Sequence, residues 1–389
     1  MNNRIFLASL LLICIVACKN NDKKTADNDN IPEIPVSQSF SDDYFFKTLE
    51  GSIAGKPIIM HFLKTHEGVD ANYYYTGQGQ TIFLDKDWSK TPGDSIYLFE
   101  ASNRQPEQSP TLTMAIHKDG VNGIWSSGDG KITYPFELKE SASQPTLHFN
   151  AASYMDSAQY LKFKTDTPTL KSSVTVVTAT DDNTGATWLN SRLKQIITNG
   201  NKKFDGLSLP QTAAALVKDR VEGYNADVDS SIVGIDKKAP HYFLNREYQT
   251  LSNIIYNQNG YVTLSLFNYA YTGGAHGNHG TSMYCFDTGT QKHLSLQDIA
   301  TIDSLKASEL LEKYYREQYN IPLSAPLDQS LFVKRLVPNN NFYFGPAGLG
   351  FVYVPYEIAP YASGEINIWI PFSELKPYLN PEFAKRMKL

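Results

Sequence analysis

Short apolar segments alternate with turn residues along residues 44–140, and this alternation limits the folds open to that part of the chain. The turns recur about every 8 to 12 residues, which is the spacing of antiparallel sandwiches and barrels. In the segment ITYPFEL (132–138), apolar side chains alternate with polar or small ones, as in a strand with one buried face. The pattern predicts an all-β module, either a sandwich or a barrel, that ends at SASQP (141–145).

A helical period appears after this boundary. Two groups of apolar side chains each fall on one helical face: Leu189, Leu193, Ile196 and Ile197, then Val217, Val221 and Tyr224. Strand patterns return in residues 241–270, most clearly in YVTLSLFNYAY (261–271), and Asp303 is placed to cap a later helix. We therefore expect an α+β fold, in which the β-module precedes an α+β domain over 146–240 and a second one over 241–380. The second domain should contain an antiparallel sheet with flanking helices.

The first eighteen residues, MNNRIFLASLLLICIVAC, carry a basic residue, an apolar run and a cysteine at the end. The run is shorter than the about 20 residues that span a bilayer, and Ile15–Cys18 resembles the lipobox of bacterial lipoproteins. We predict a signal peptide over 1–17, a lipid on Cys18 that contacts the membrane, and a flexible, polar tether over 18–43. The expected location is the cell envelope, lipid-anchored to the outer membrane with a periplasmic or surface face. An ordinary secretory signal or an uncleaved anchor is the alternative.

Cysteine content and charge exclude several classes of protein. The chain has three cysteines, and two of them, Cys14 and Cys18, fall in the signal peptide and at the lipidation site. No disulfide framework or cysteine-based zinc site can then form, and Cys285, within the apolar run MYCF, should be buried. The formal charge of −5 comes without a basic stripe, which argues against a nucleic-acid partner. P-loop, Rossmann and GxSxG motifs are absent, and we expect no cofactor.

Two segments carry a family resemblance. TGGAHGN…FDTGTQKHLSLQDI (272–299) and FYFGPAGLGFVYVPYEIAPYASGEINIWIPFSEL (342–375) resemble the C-terminal domain of the lysozyme-sensing anti-sigma factor RsiV, which also accompanies PdaC-type peptidoglycan deacetylases. The resemblance covers residues 225–380, and 150–225 is more weakly similar to the domain that precedes it. It implies an envelope binding or sensing module, with a lysozyme-like protein or peptidoglycan as the partner. The sigma-binding segment, the membrane helix and the deacetylase metal motifs of those relatives do not occur in this sequence.

The loop YTGGAHGNHG (271–280) is the first candidate site. His276 and His279 have HxxH spacing with Asp287 nearby, but imidazoles on a glycine-rich loop are not positioned by a helix for a metal. The glycines can instead form a structural turn, or the loop can face a ligand with Tyr271, His276 and Asn278. We expect no metal and treat His279 as incidental.

The segment PYEIAPYASG (355–364) is the second candidate. Tyr356, Glu357 and Tyr361 could receive a glycan or a partner loop, because tyrosine offers a flat apolar face with a polar tip. The alternative is a structural bulge shaped by the two prolines, with tyrosines that cover the core.

The function predicted from these patterns is a non-catalytic binding or sensing module of the envelope, and no catalytic residue is assigned. One alternative is an enzyme that acts on peptidoglycan or other glycans through Glu357, His276 or an unrecognised acid pair. Another is a structural subunit of a surface complex that binds through the β-module.

Overall fold

The structure is a computed structural model. It describes residues 38–389 except 88, 91–92, 94, 102–107, 164–166 and 233–241. The predicted signal peptide and the lipidation site Cys18 therefore lie outside the described residues, as does most of the predicted tether. In the part of the chain that is described, no helix has the length and apolar character needed to cross a membrane.

The N-terminal module is a closed antiparallel barrel, as one of the two predicted architectures required. Its strands are β1 (Phe45–Ile53), β2 (Lys56–Thr65), β3 (Gly68–Tyr75), β4 (Ile82–Lys86), β5 (Ile96–Glu100), β6 (Thr111–His117), β7 (Gly120–Ser126) and β8 (Thr133–Glu140). Pairing of β1 with β8 closes the barrel, and Gly51 lies in that seam. A Cβ atom at Gly51 would collide with the Glu137 carbonyl, so the closure needs glycine there. Apolar side chains such as Leu49, Met60 and Phe62 fill the interior.

A six-stranded sheet follows the barrel. Its strands are β9 (Phe149–Gln159), β10 (Thr169–Ala179), β11 (Arg246–Gln258), β12 (Tyr261–Tyr271), β13 (Asn278–Asp287) and β14 (Lys292–His293). They lie in the order β14-β13-β12-β11-β10-β9, and all neighbours are antiparallel except β10 and β11. The β10–β11 pair is parallel because two helices connect the strands, and a crossover of this kind returns the chain in the same direction.

The two predicted helices form this crossover. α1 (Thr184–Ile197) begins at Asn183, whose side chain accepts from the Ala186 N–H. α2 (Leu209–Ser231) begins with a capping box between Ser208 and Gln211. Leu189 and Leu193 of α1 are buried against the sheet together with Val217 of α2, as the apolar spacing predicted.

A three-stranded sheet and four helices complete the fold. The strands are β15 (Phe342–Phe344), β16 (Gly348–Tyr353) and β17 (Ile366–Pro371), and the helices are α3 (Leu296–Ile299), α4 (Ser304–Tyr319), α5 (Phe372–Leu375) and α6 (Pro381–Met387). Asp303 caps α4 by accepting from two backbone N–H groups, which confirms the predicted helix start. Cys285 is a free, buried cysteine in the core between the two sheets, also as predicted.

The barrel is joined to the six-stranded sheet by polar contacts as well as apolar ones. The Asn72 amide donates to the Ile254 carbonyl at 2.7 Å, and the Asn253 amide donates to the Asp70 carboxylate. His61 is buried in the same interface. Gln38, which lies inside the range predicted as a tether, is also buried and exchanges two hydrogen bonds with Ala151 of β9 at 2.7 and 2.8 Å. Barrel and sheet are therefore held as neighbours by buried hydrogen bonds.

Candidate functional site

The two candidate loops of the sequence meet in space. The first connects β12 to β13, and the second connects β16 to β17. The His276 ring stacks on the Tyr361 ring with 4.1 Å between centroids and 25° between planes. His279 meets the edge of the same tyrosine, and its Nδ1 lies 3.4 Å from the Tyr361 hydroxyl. The Tyr356 and Tyr361 ring centroids are 5.7 Å apart. We call His276, His279, Tyr356 and Tyr361 together the aromatic surface.

Two glycines of the first loop occupy positions where a side chain would collide with its neighbours. Gly273 has φ +92°, and a Cβ atom there would collide with the Phe243 carbonyl. At Gly277 a Cβ atom would collide with the Tyr269 ring. The Tyr271 hydroxyl donates to the Gly274 carbonyl at 3.1 Å and so helps to fix the loop. The sequence allowed two interpretations of this loop, a structural turn and a loop that faces a ligand. In the structure the glycines form the turn, and His276 is exposed on it.

The surroundings of the two histidines indicate which ring nitrogen of His276 carries hydrogen and which charge state His279 favours. His276 Nδ1 lies 2.7 Å from the Gly277 carbonyl oxygen. A carbonyl can only accept, so Nδ1 carries the hydrogen of this contact. Burial lowers the pKa of His279, which favours the neutral imidazole beside Tyr361. Asn278 is exposed at the first residue of β13, beside these rings.

Glu357 shapes the second loop. Its carboxylate accepts from the Val354 N–H at 3.0 Å and from the Asn339 amide at 2.9 Å. These bonds hold a turn in which Tyr356 adopts φ +70°, a conformation that bulky residues rarely adopt. Tyr356 is nonetheless 54% exposed. The turn therefore holds an exposed tyrosine in a left-handed backbone conformation.

Two further apolar side chains lie along the second loop. Phe332 is 60% exposed and Val337 is 56% exposed, and we call this pair the apolar rim. The Phe332 N–H donates to the Ile358 carbonyl at 2.7 Å, and the Tyr353 hydroxyl donates to the Val337 carbonyl at 2.7 Å. These two bonds tie the backbone at Phe332 to the second loop and the backbone at Val337 to the end of β16.

The six residues predicted for ligand contact have different placements. His276, Tyr356 and Tyr361 come together in the aromatic surface, Tyr271 and Glu357 hold the loops, and Asn278 is exposed beside them. His279, which was expected to be incidental, contacts Tyr361, and the hairpin between β12 and β13 places it across from Tyr269. That register, from the strand pattern on both sides of the loop, is the signal that could have found it.

Asp287, the third group considered with the two histidines, lies at the far end of β13. It accepts two hydrogen bonds from the Arg386 guanidinium, at 2.6 and 3.1 Å, and these hold its pKa below the usual range against the opposing effect of burial. Across the described ranges, no group of three histidine, cysteine or acidic side chains is arranged to hold a metal ion.

Comparison with known proteins gives two family matches. Residues 155–279 match the family described as Deacetylase PdaC, and residues 297–373 match Protein of unknown function (DUF3298). The first match includes most of the glycine-histidine loop, which lies in the second of the two α+β domains predicted from the sequence. No curated protein matches the chain.

Two solved structures are similar to this chain. A DUF3298 family member from Bacteroides fragilis is 21% identical with a TM-score of 0.56, covering 63% of this chain and 99% of that chain. A DUF3298 family protein from Pseudomonas aeruginosa is 17% identical with a TM-score of 0.43, and the similarity covers 61% of this chain and 96% of that chain. The first similarity extends to the fold alone. The chain thus carries a PdaC-like segment followed by a DUF3298 segment, and the aromatic surface draws its histidines from the first and its tyrosines from the second.

Proposed function

We propose that the aromatic surface docks a lysozyme-like protein of the cell envelope, and that the chain is a binding module. The observation that carries this proposal is the stack of the His276 ring on the Tyr361 ring, with the exposed Tyr356 ring beside it. Tyr356, Phe332 and Val337 are each more than half exposed, at 54%, 60% and 56%. The centres of protein interfaces are rich in aromatic side chains and poor in charge, and tyrosine is common among the residues that contribute most affinity.

The family resemblance read from the sequence supports the location and the partner class, beside the match of residues 155–279 to Deacetylase PdaC. RsiV, which the sequence resembles, senses lysozyme, and PdaC-type enzymes act on peptidoglycan. A lipid on Cys18, which the lipobox predicts, would hold the protein at the outer membrane, where such partners occur. Glu357, the carboxylate of the second loop, is engaged by Val354 and Asn339, which suits a residue that shapes a turn better than a general acid.

A cell-wall glycan is the second candidate ligand. The stack of His276 on Tyr361, with Tyr356 beside it, favours this alternative, because flat aromatic faces pack against sugar rings. The binding surface would be the same, so one set of variants serves both candidates.

The test is lysozyme binding to the full-length protein, measured by isothermal titration calorimetry. Tyr361→Ala and Tyr356→Ala should each weaken binding about tenfold or more, the loss expected of central aromatic contacts. Tyr134→Ala, at a 38% exposed tyrosine of the barrel, is the matched control and should bind as the unmodified protein does. Circular dichroism checks that each variant is folded.

Absence of lysozyme binding, or equal binding by Tyr361→Ala, would contradict the protein-partner proposal. Co-sedimentation with insoluble peptidoglycan separates the second candidate. If sedimentation is lost in Tyr361→Ala while lysozyme does not bind, the surface recognises glycan.

A further inference from the structure

A second concave site lies on the six-stranded sheet, away from the aromatic surface. It is a cavity of about 570 Å³ between the end of α1, the loop 198–205 that follows it, and Tyr284 of β13. This volume falls within the range of about 300 to 1,000 Å³ found for small-molecule sites. We call this cavity the α1 pocket.

Unpaired cations line the α1 pocket. Arg192, Lys194 and Lys202 face it, with Asp205 as the acidic residue of the lining. The Arg192 guanidinium donates to the Gln195 side chain at 3.1 Å, and the Lys194 ammonium donates to the Leu207 carbonyl at 2.9 Å. Within the described residues none of the three cations has an ion-pair partner. The lining therefore carries an excess of positive charge.

The carbonyl groups at the end of α1 do not bind these cations as partners for the helix terminus. Basic residues often gather in the last turn of a helix because its free carbonyl groups are partly negative. Here the carbonyls of Lys194, Gln195 and Ile196 already accept from the N–H groups of Thr198, Gly200 and Asn199, at 2.8 to 3.1 Å. The helix end is satisfied by its own backbone, and the charged groups remain available to a ligand.

The remaining lining suggests what kind of anion fits. Asn199 and the amide nitrogens of Gln195 and Asn201 offer neutral polar groups, which suit the hydroxyl and amide groups of a sugar. The Thr198 hydroxyl lines the pocket but donates to the Lys194 carbonyl. The half-buried Tyr284 ring offers a face for the apolar side of a pyranose. We propose that the α1 pocket binds a small sugar acid, whose carboxylate lies against Arg192 and Lys202 while its ring packs on Tyr284.

This site is independent of the aromatic surface. Successive side chains of a strand point to opposite faces, which places His279 and Tyr284 of β13 on different sides of the sheet. Phe286, on the side of Tyr284, contacts Trp188 of α1, whereas Met283 and Cys285 pack toward the three-stranded sheet. Binding in the α1 pocket can therefore succeed or fail separately from docking at Tyr361.

The test uses the full-length protein with two matched sugars, N-acetylmuramic acid and N-acetylglucosamine, in ligand-observed NMR titrations. They differ by the lactyl carboxylate, so the acid should bind at least tenfold more tightly than the neutral sugar. The double variant R192Q/K202Q should lose about tenfold or more in affinity for the acid, because charge-assisted hydrogen bonds are removed. K203Q is the control, since Lys203 is already paired with Asp219 and should not matter.

Three results would overturn the proposal. They are no binding of N-acetylmuramic acid, equal binding of the two sugars, and unchanged affinity in a folded R192Q/K202Q protein. Tyr361→Ala should leave binding of the acid unchanged, so failure here is distinguishable from failure at the aromatic surface.

Discussion

Two buried titratable groups between the barrel and the six-stranded sheet should give opposite responses to acid. His61 stacks with Phe46, and burial lowers its pKa to about 4, partly opposed by its contact with Asn72. Burial raises the pKa of Asp70 to about 6, partly opposed by the hydrogen bond from Asn253. The two shifts have opposite signs in the same range of pH.

The sign of each contribution follows from which state binds more protons. As the pH falls from 6.5 toward 4, the unfolded chain takes up a proton at His61 and the folded protein resists it, so stability is lost. As the pH falls from 6 toward 3.8, the folded protein takes up a proton at Asp70 before the unfolded chain does, so stability is gained. Between pH 7 and about pH 4.5, His61 should remove about 2–3 kcal/mol and Asp70 should add about 2 kcal/mol.

The perturbations are His61→Gln and Asp70→Asn, and the assay is urea unfolding followed by tryptophan fluorescence at pH 7 and at about pH 4.5. For each protein the quantity is the change in the free energy of unfolding between the two pH values. On going from pH 7 to about pH 4.5, His61→Gln should lose about 2–3 kcal/mol less stability than the unmodified protein. Over the same range Asp70→Asn should lose about 2 kcal/mol more stability than the unmodified protein. Burial also raises the pKa of Asp85 and Glu365, which are present in all three proteins. The charge of Asp85 is itself one of the causes that raise the pKa of Asp70.

Equal pH responses in the three proteins would refute this account of the interface. Shifts of the same sign in both variants would also refute it, because the argument requires His61 and Asp70 to titrate in opposite senses.

Other predictions concern the loop, the C-terminus and the N-terminus. Gly273→Ala should lower the free energy of unfolding by about 1–3 kcal/mol, because the new methyl group collides with a backbone carbonyl. Gly274→Ala is the control and should cost less, because Gly274 also has positive φ but open space around it. Equal losses of the two variants in urea unfolding would count against this. Arg386→Lys should cost about 2 kcal/mol in the same assay, because lysine cannot donate the two parallel hydrogen bonds that Asp287 accepts, and an unchanged midpoint would argue otherwise. Labelling with a fatty acid should mark the unmodified protein and not Cys18→Ser, and label in both would exclude lipidation at that residue.

Local patterns predicted the elements well, and their long-range pairing less well. The alternation in residues 132–138 marks β8, because Phe136 and Leu138 are buried in the barrel. Ile132, counted in the same pattern, lies just before β8 and is 51% exposed, because the strand reaches the barrel end there. Closure of β1 on β8 and the parallel pairing of β10 with β11 depend on contacts between distant segments, which a local period does not contain.

The candidate site was predicted in the same partial way. Tyrosine and histidine in glycine- and proline-rich loops identified both halves of the aromatic surface. Their meeting depends on how the three-stranded sheet packs on β13, and no local signal in either loop reports that packing. Glu357 had the residue type of a ligand contact, but its hydrogen bonds to Val354 and Asn339 assign it to the turn. The sequence therefore predicted two loops, and the fold brings them together.

The most direct test of the central claim is a hydrogen-exchange footprint of the full-length protein with and without lysozyme. The account predicts slower amide exchange in residues 271–280 and 355–364 when lysozyme is present, with no change in the barrel strands. Protection confined to the barrel, or no protection in either loop at saturating lysozyme, would contradict it.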